Sequence, residues 1–418
     1  MKLSPLRTSL IAILISLCLW FIVLMVNTPT KSLLTSAEFQ YDTISPNADN
    51  INDITAINYS LSRPANVSIY FMNKNEQKYY FRESKPRQSG QHTLLFSGVV
   101  KGFQLPEENI EGKIISRTLP NDEYTWIIEA NDNTSIDRKT GQINVILTED
   151  NLPDIKGFSV SPSLFTPNRD GISDRVWINL FLSKNADIEV NLIDANGISL
   201  PIAERAGTTP ANKKGFHTFE YEGGVDLGVS PPLDGTYKVI AKATDKIGQK
   251  TSVDGKLDIK YGGIPRADIV NADIEFSETT IVQGNQLKFS MTIENYGSSP
   301  IRTTGPEPGF TYSQNENANT HGWYEESGAW RVGIDCDTCI RDYPWRWSLG
   351  TKDELTKIDN YWYLMPGQRT TVTGTIKITD IPARNPLYFW GGLIHEDVEI
   401  SNINNRVDPH FIHIIPNN

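Results

Sequence analysis

The sequence predicts an all-β protein: tandem β-sandwiches behind a single N-terminal transmembrane helix. Three observations carry that expectation. First, the stretch SPNADNIND at 45–53 returns as TPNRDGISD at 166–174, and the text behind each copy, INYSLSRPANVSIYF and INLFLSKNADIEVNL, stays in register without a gap. Second, short alternating runs broken by Gly, Pro, Asn and Asp dominate the chain, which is the pattern of strands and turns; apolar residues at helical spacing are scarce beyond the N-terminus. Third, the N-terminus holds one long apolar run without charge.

That run, LIAILISLCLWFIVLMV at 10–26, follows a stub at 1–9 carrying Lys2 and Arg7. At about 1.5 Å per residue it reaches about 25 Å, the lower limit of a spanning helix. A cleaved signal peptide competes with this reading, but its apolar core runs only about 7–15 residues with a small-x-small site close behind. Here the nearest such site, Thr35-Ser36-Ala37, lies well past the run, which favours an uncleaved signal anchor. The positive-inside rule then puts the N-terminus in the cytoplasm and the bulk of the chain outside the cell membrane. Residues 27–37 read as a polar tether.

The length of 418 residues suits about three domains. Hydrophobic residues at 39% and charged residues at 21% argue for packed cores over disorder. The net charge of -11, with no basic stripe, argues against nucleic acid as a partner.

The repeat defines two modules, 38–150 and 151–262. Each gives a strand (54–61; 176–182), a turn and a second alternating strand (67–71; 188–193); the second copy then turns at Asp194-Ala195-Asn196-Gly197, a hairpin signal. Similarity resumes at 91–98 beside 216–223, and at LPNDEYTW (119–126) beside PLDGTYKV (232–239). Extra residues around 102–117 in the first copy read as a surface loop. Several short strands with regular turns are the pattern of an immunoglobulin-like sandwich. Over 39–148 and 158–260 the S/T-P-N-x-D-x-x-x-D loop, the strand pair and the later L-x-D/N-G/E-x-Y text resemble the Ig-like domain of the flagellar hook-cap protein and related bacterial surface modules. That resemblance implies spacer or attachment units, and nothing flagellar.

In the two loops, Asn47, Asp49 and Asp53, and Asn168, Asp170 and Asp174, place oxygens at alternate positions, as calcium would need. The alternative is turn chemistry, with Asn and Asp closing the loop on its own backbone. Cys336 and Cys339 form a C-x-x-C pair in an exported region, read as a local disulfide, with free thiols or a metal ligand pair as alternatives.

After the linker YGGIP at 261–265, residues 263–418 begin a new pattern. The order V-x-G-x-x-L-x-F-x-x-x-I-x-N-x-G (282–297), then PGQ (366–368), then N-x-N-N-x-V (402–407) is similar to the adhesion-related Ig-like modules called CARDB, which implies cell adhesion or association with sugar-active proteins. An insertion at 300–362 interrupts it. Six of the chain's nine tryptophans fall between 323 and 390, so this is where recognition is expected. Trp323, Tyr324, Trp330, Tyr343, Trp345, Trp347 and Trp362 are candidate sugar-stacking rings, with Arg346 as a polar partner; packing into the module's own core is the competing reading. Glu325, Glu326, Glu396, Asp397 and Glu399 could in principle supply a glycosidase pair, but no catalytic motif accompanies them, and no catalytic residue is assigned. The expectation is a membrane-anchored surface protein for binding or adhesion, with a glycan as ligand. The alternatives are a structural or assembly component bridging other envelope proteins, or a glycan-processing enzyme.

Overall fold

The computed structural model describes residues 32–417 apart from 107, 208, 225 and 226, together with Ser9, 13–18 and Trp20. Of the expected span at 10–26, the described residues are helical; the rest lies outside the described residues, as do 1–8 and 27–31. Among the described residues, no helix is long and apolar enough to cross a membrane. The tether ends earlier than expected: Leu33 and Leu34 are buried and Leu34–Phe39 is a strand, because these two leucines complete the first sandwich's core.

The chain divides into two compact units, residues 1–154 with 244–251, and residues 155–243 with 252–418. The first unit holds a sandwich of two sheets. Leu34–Phe39, Thr55–Leu61 and Gly90–Phe96 form one; Thr43–Ile44, Ile136–Val145, Asp122–Asn131, Ala65–Met72 and Lys78–Arg87 form the other in that order. The strand Thr55–Leu61 (TAINYSL) buries every second residue, so one face meets the core and the other meets water. Phe71 stacks on Phe96 with centroids 4.5 Å apart. The short Thr43–Ile44 pairs in parallel with the last strand at Asn144 and Val145. At the entry to Asp122–Asn131 the Tyr124 hydroxyl donates to the Pro120 carbonyl at 2.9 Å, the tyrosine corner of immunoglobulin-like sandwiches.

The segment around 102–117 is more than a surface loop. Val99–Lys101 and Lys113–Thr118 pair antiparallel, and Arg117 is buried with its guanidinium on Glu108 and over the Phe103 ring at 5.4 Å. Burying an arginine requires such partners, and the insertion supplies them itself.

The second unit begins with the same strand order. Ile155–Ser161, Val176–Leu182 and Gly215–Tyr221 form one sheet. In the other, Ser199–Ile202, Asp187–Ile193, Gly235–Thr244 and Lys250–Ile259 run in sequence, and Leu164–Phe165 pairs in parallel with the last of them. Asp194 closes the first hairpin turn by accepting from the Asn196 and Ile198 N–H groups. Its tyrosine corner is Tyr237, donating to the Leu233 carbonyl at 2.8 Å.

The C-terminal module is a third sandwich. Ala267–Ile269, Gln286–Asn295, Arg369–Lys377 and Thr311–Ser313 make one sheet, and Thr280–Val282 again pairs in parallel with the last strand, Val407–Ile415. That opposite sheet continues through Leu387–His395, Trp330–Cys336, Ile301–Thr303, Tyr361–Leu364 and Thr356–Ile358. The insertion at 300–362 is therefore no appendage. It supplies Trp330–Cys336, buried at every position between two partner strands.

Candidate functional site

The fold decides first which aromatic rings can meet a ligand. Trp345–Trp347 is a strand that alternates, so Trp345 and Trp347 share one face and Arg346 takes the other. That shared face is the core. Trp347 is 0% exposed, edge-on to Phe289 and Tyr312, and its Nε1 donates to the Phe310 carbonyl at 3.1 Å. Trp345 stacks on Phe389, and Trp330 stacks on His395 with centroids 4.6 Å apart. Tyr343 lies flat against the strand Leu387–His395, where a Cβ at Gly392 would come within 2.5 Å of its ring; its hydroxyl donates to Asn405 Oδ1. These four rings, expected as a sugar platform, are core residues. Packing between two sheets buries more of a tryptophan than any stacked ligand would.

Arg346 is also committed. Its Nη1 donates to both oxygens of the buried Glu396 at 2.9 and 2.8 Å, and Arg331 sits on the other side at 3.3 Å. Glu325 pairs with Arg341 and Glu326 with Arg302, so each of these glutamates faces a guanidinium rather than another carboxyl group across a cleft.

Three of the expected rings remain at the surface: Trp323 at 36% exposure, Tyr324 at 64%, and the half-buried Trp362. Trp323 and Trp362 line one cleft of about 480 Å³, together with Phe310, Thr304, Glu307 and Lys352. Trp323 is positioned by the short helix Ala318–His321. Asn317 and Thr320 cap its start reciprocally, Gly322 ends it at φ 80°, and the Trp323 N–H donates to the Ala318 carbonyl. Trp362 projects from Tyr361–Leu364, a strand held between Thr303 and Lys357, and the Lys357 ammonium lies 5.9 Å from its ring. Lys352 and Glu307 form an ion pair at 3.1 Å on the rim. The cleft therefore offers two indole faces, a phenyl ring, a hydroxyl and a charge of each sign. Thr304, Glu307 and Phe310 come from one loop and Lys352 from another, and sequence reading missed them. Tyr324 is exposed without lining this cleft.

The two Asn/Asp loops have one construction. Asp53 accepts N–H bonds from Asn47, Ala48 and Asn50, and Asp174 accepts them from Asn168, Arg169 and Gly171. The Asn47 side chain accepts from Asp49 N–H, and Asp49 in turn from Ile51 N–H; Asn168 and Asp170 repeat the pattern. Ser45 and Thr166 each donate a hydroxyl to a loop carbonyl at 2.6 Å. The turn chemistry weighed against calcium is present in both loops. The central carboxylate faces converging N–H groups, which carry positive partial charge and disfavour a cation. Among the described residues there is no group of three or more His, Cys, Asp and Glu side chains able to hold a metal ion.

The second loop also seats against the C-terminal module. Asp170, 4% exposed, accepts a hydrogen bond from the Tyr363 hydroxyl at 3.0 Å, and His395 Nε2 lies 2.8 Å from the Arg169 carbonyl oxygen. Burial pushes the Asp170 carboxyl up to about 6, with the nearby Asp174 charge adding to it. Burial also drives His395 down to about 4, so its ring is neutral near pH 7. Cys336 and Cys339 are joined as a disulfide.

No family model and no curated protein matches the chain. Among solved structures, extracellular domains 3–5 of Drosophila OTK align over 94% of this chain and 99% of that one at 9% identity and a TM-score of 0.21. The three N-terminal domains of the bacteriophage RB49 outer capsid protein Hoc align over 91% and 98% at 8% identity and a TM-score of 0.23. A solved chain described under host cell surface retention of a 1.5-MDa bacterial ice-binding adhesin aligns over 93% of this chain and 99% of that solved chain at 10% identity and a TM-score of 0.20. Likenesses this low carry no argument, and the immunoglobulin-like assignment rests on strand order and tyrosine corners.

Proposed function

We propose that this chain is a membrane-anchored surface protein for binding or adhesion, in which Ig-like sandwiches act as spacers and the C-terminal module takes a neutral glycan in the Trp323–Trp362 cleft. The observation that supports this is the pairing of two surface indoles with hydroxyl and charged groups in one concave site. Pyranose rings present apolar C–H faces that aromatic rings cover, while their hydroxyls need polar partners at the edge. The anchor at 10–26, the extracytoplasmic location of the bulk and the kinship with hook-cap-type and CARDB-type modules belong to the same reading.

A glycan array probed with the full chain tests it. Trp323→Ala and Trp362→Ala are expected to weaken binding at least tenfold with the melting temperature retained, whereas Trp345→Ala lowers the melting temperature itself. Absence of binding to any sugar, or binding indifferent to both surface substitutions, overturns the reading. The second reading, an assembly component of the envelope, is favoured by the close seating of the 166–174 loop, which suits a stiff spacer more than a flexible tether. It gains if the array is blank.

A further inference from the structure

A second concave site, unconnected with the tryptophan cleft, lies around the 261–265 linker, and its chemistry differs. It encloses about 750 Å³, within the range of roughly 300–1,000 Å³ of small-ligand pockets. Its walls carry Tyr261 and Tyr296, 39% and 49% exposed, with Pro231, Met365 and Arg266.

The pocket is built rather than incidental. Tyr261 adopts φ 58°, a left-handed conformation that a bulky aromatic residue rarely takes. It is held there by Asp234, whose carboxylate accepts the Tyr261 and Gly262 N–H groups at 2.9 and 3.2 Å. Asp234 follows Leu233, whose carbonyl is fixed by the Tyr237 corner. On the opposite wall Tyr296 and Gly297 both donate backbone N–H groups to the Arg266 carbonyl, and a Cβ at Gly297 would lie 2.9 Å from the Arg266 nitrogen. The turn can rest on the linker only because that residue is glycine. Strained backbone held by its surroundings is a mark of functional sites.

Arg266 is the distinguishing group. Its side chain is exposed, lines the pocket and makes no ion pair or hydrogen bond among the described residues. Asp234 lines the same pocket but forms no ion pair with Arg266; its oxygens accept the two linker N–H groups. A planar guanidinium matches one carboxylate through two parallel hydrogen bonds. Two tyrosine rings beside it offer flat apolar faces with hydroxyls at their edges. A phosphate dianion would call for more than one cation. The combination fits a sugar ring bearing a carboxylate.

We infer that the linker pocket binds a carboxylated sugar residue, Arg266 holding the carboxylate and Tyr261 and Tyr296 covering the ring. The site is independent of the neutral-glycan cleft and stands or falls separately.

The test titrates the full chain with trigalacturonate, with neutral galactotriose, and with triglutamate as an acidic peptide. Trigalacturonate is expected to bind at least tenfold more tightly than galactotriose. Arg266→Gln, at an exposed position that leaves the fold intact, is expected to erase that preference. Tyr296→Ala weakens trigalacturonate at least fivefold, and Trp323→Ala leaves it unchanged. The inference is overturned if trigalacturonate does not bind or if Arg266→Gln binds it as the parent does. It is equally overturned if triglutamate binds as tightly, which would make this a peptide site, or if Trp323→Ala alone abolishes binding, which would place the acidic sugar in the other cleft.

Discussion

The loops at 45–53 and 166–174 share the carboxylate and Asn/Asp hydrogen bonds that close them, yet one lies open and the other is covered. Asp49 is exposed, whereas Asp170 at the matching position is buried under Tyr363. Asn50 is exposed at φ 68°, whereas Gly171 sits at φ 81° where a Cβ would lie 2.2 Å from the Ser327 carbonyl oxygen. The difference separates two roles that one motif conceals. The Asn/Asp pattern builds the turn in both copies; the outward face is free to be used or left alone, and only the second copy uses it.

Exchanging the one residue on which the loops divide breaks the comparison most severely. Gly171→Asn, which gives the second loop the first loop's residue, is expected to cost about 3 kcal/mol or more in urea unfolding, because the Ser327 backbone leaves no room. The reverse change, Asn50→Gly, should stay within about 0.5 kcal/mol. Equal effects would mean that the seating is not tight. Next, Tyr363→Phe leaves the Asp170 carboxyl buried without its hydroxyl donor and should cost about 1–2 kcal/mol.

The pH response sharpens the comparison further. Asp170 is raised to about 6, so its favourable contribution is present below the ordinary carboxylate range and is lost as pH rises towards 6. His395 is lowered to about 4, so its contribution is complete above about 6.5 and is lost as pH falls towards 4. The two oppose each other between pH 4 and 6 in the parent chain. In Asp170→Asn the opposing aspartate is gone, and stability should climb more steeply with pH across that window than in the parent; an unchanged slope would contradict the Asp170 assignment. The smallest effect is expected from a calcium chelator, which should leave the melting midpoint unmoved because neither loop offers a cation more than its N–H-bound carboxylates.

The repeat, the alternating strands and the closed Asn/Asp turns were legible in the sequence because each depends on local spacing. The burial of the tryptophans was not, since Trp-Arg-Trp alternates in the same way whether the ring face meets a ligand or a second sheet. The signal that distinguishes them sits elsewhere in the chain. Gly374 and Gly392 lie within strands, where a glycine marks close approach by a large neighbour, and those neighbours are Trp347 and Tyr343. The cleft around Trp323 and Trp362 draws Thr304, Glu307 and Phe310 from one loop and Lys352 from another, neither with a periodic pattern, so nothing local could have joined them to the two rings. Tyr261 lay in a stretch read only as a Gly/Pro linker, with Arg266 directly behind it.

Each sandwich ends by laying its final strand alongside a short strand near its own beginning, in parallel: Thr43–Ile44 with Asn144 and Val145, Leu164–Phe165 with Asp258 and Ile259, and Thr280–Val282 with His413 to Ile415. When a module is pulled by its two ends, these paired strands slide lengthwise past one another, and the bonds between them bear the load together instead of peeling open singly. Under the proposed surface role, a chain tugged at both ends would thus resist at the points where each module enters and leaves.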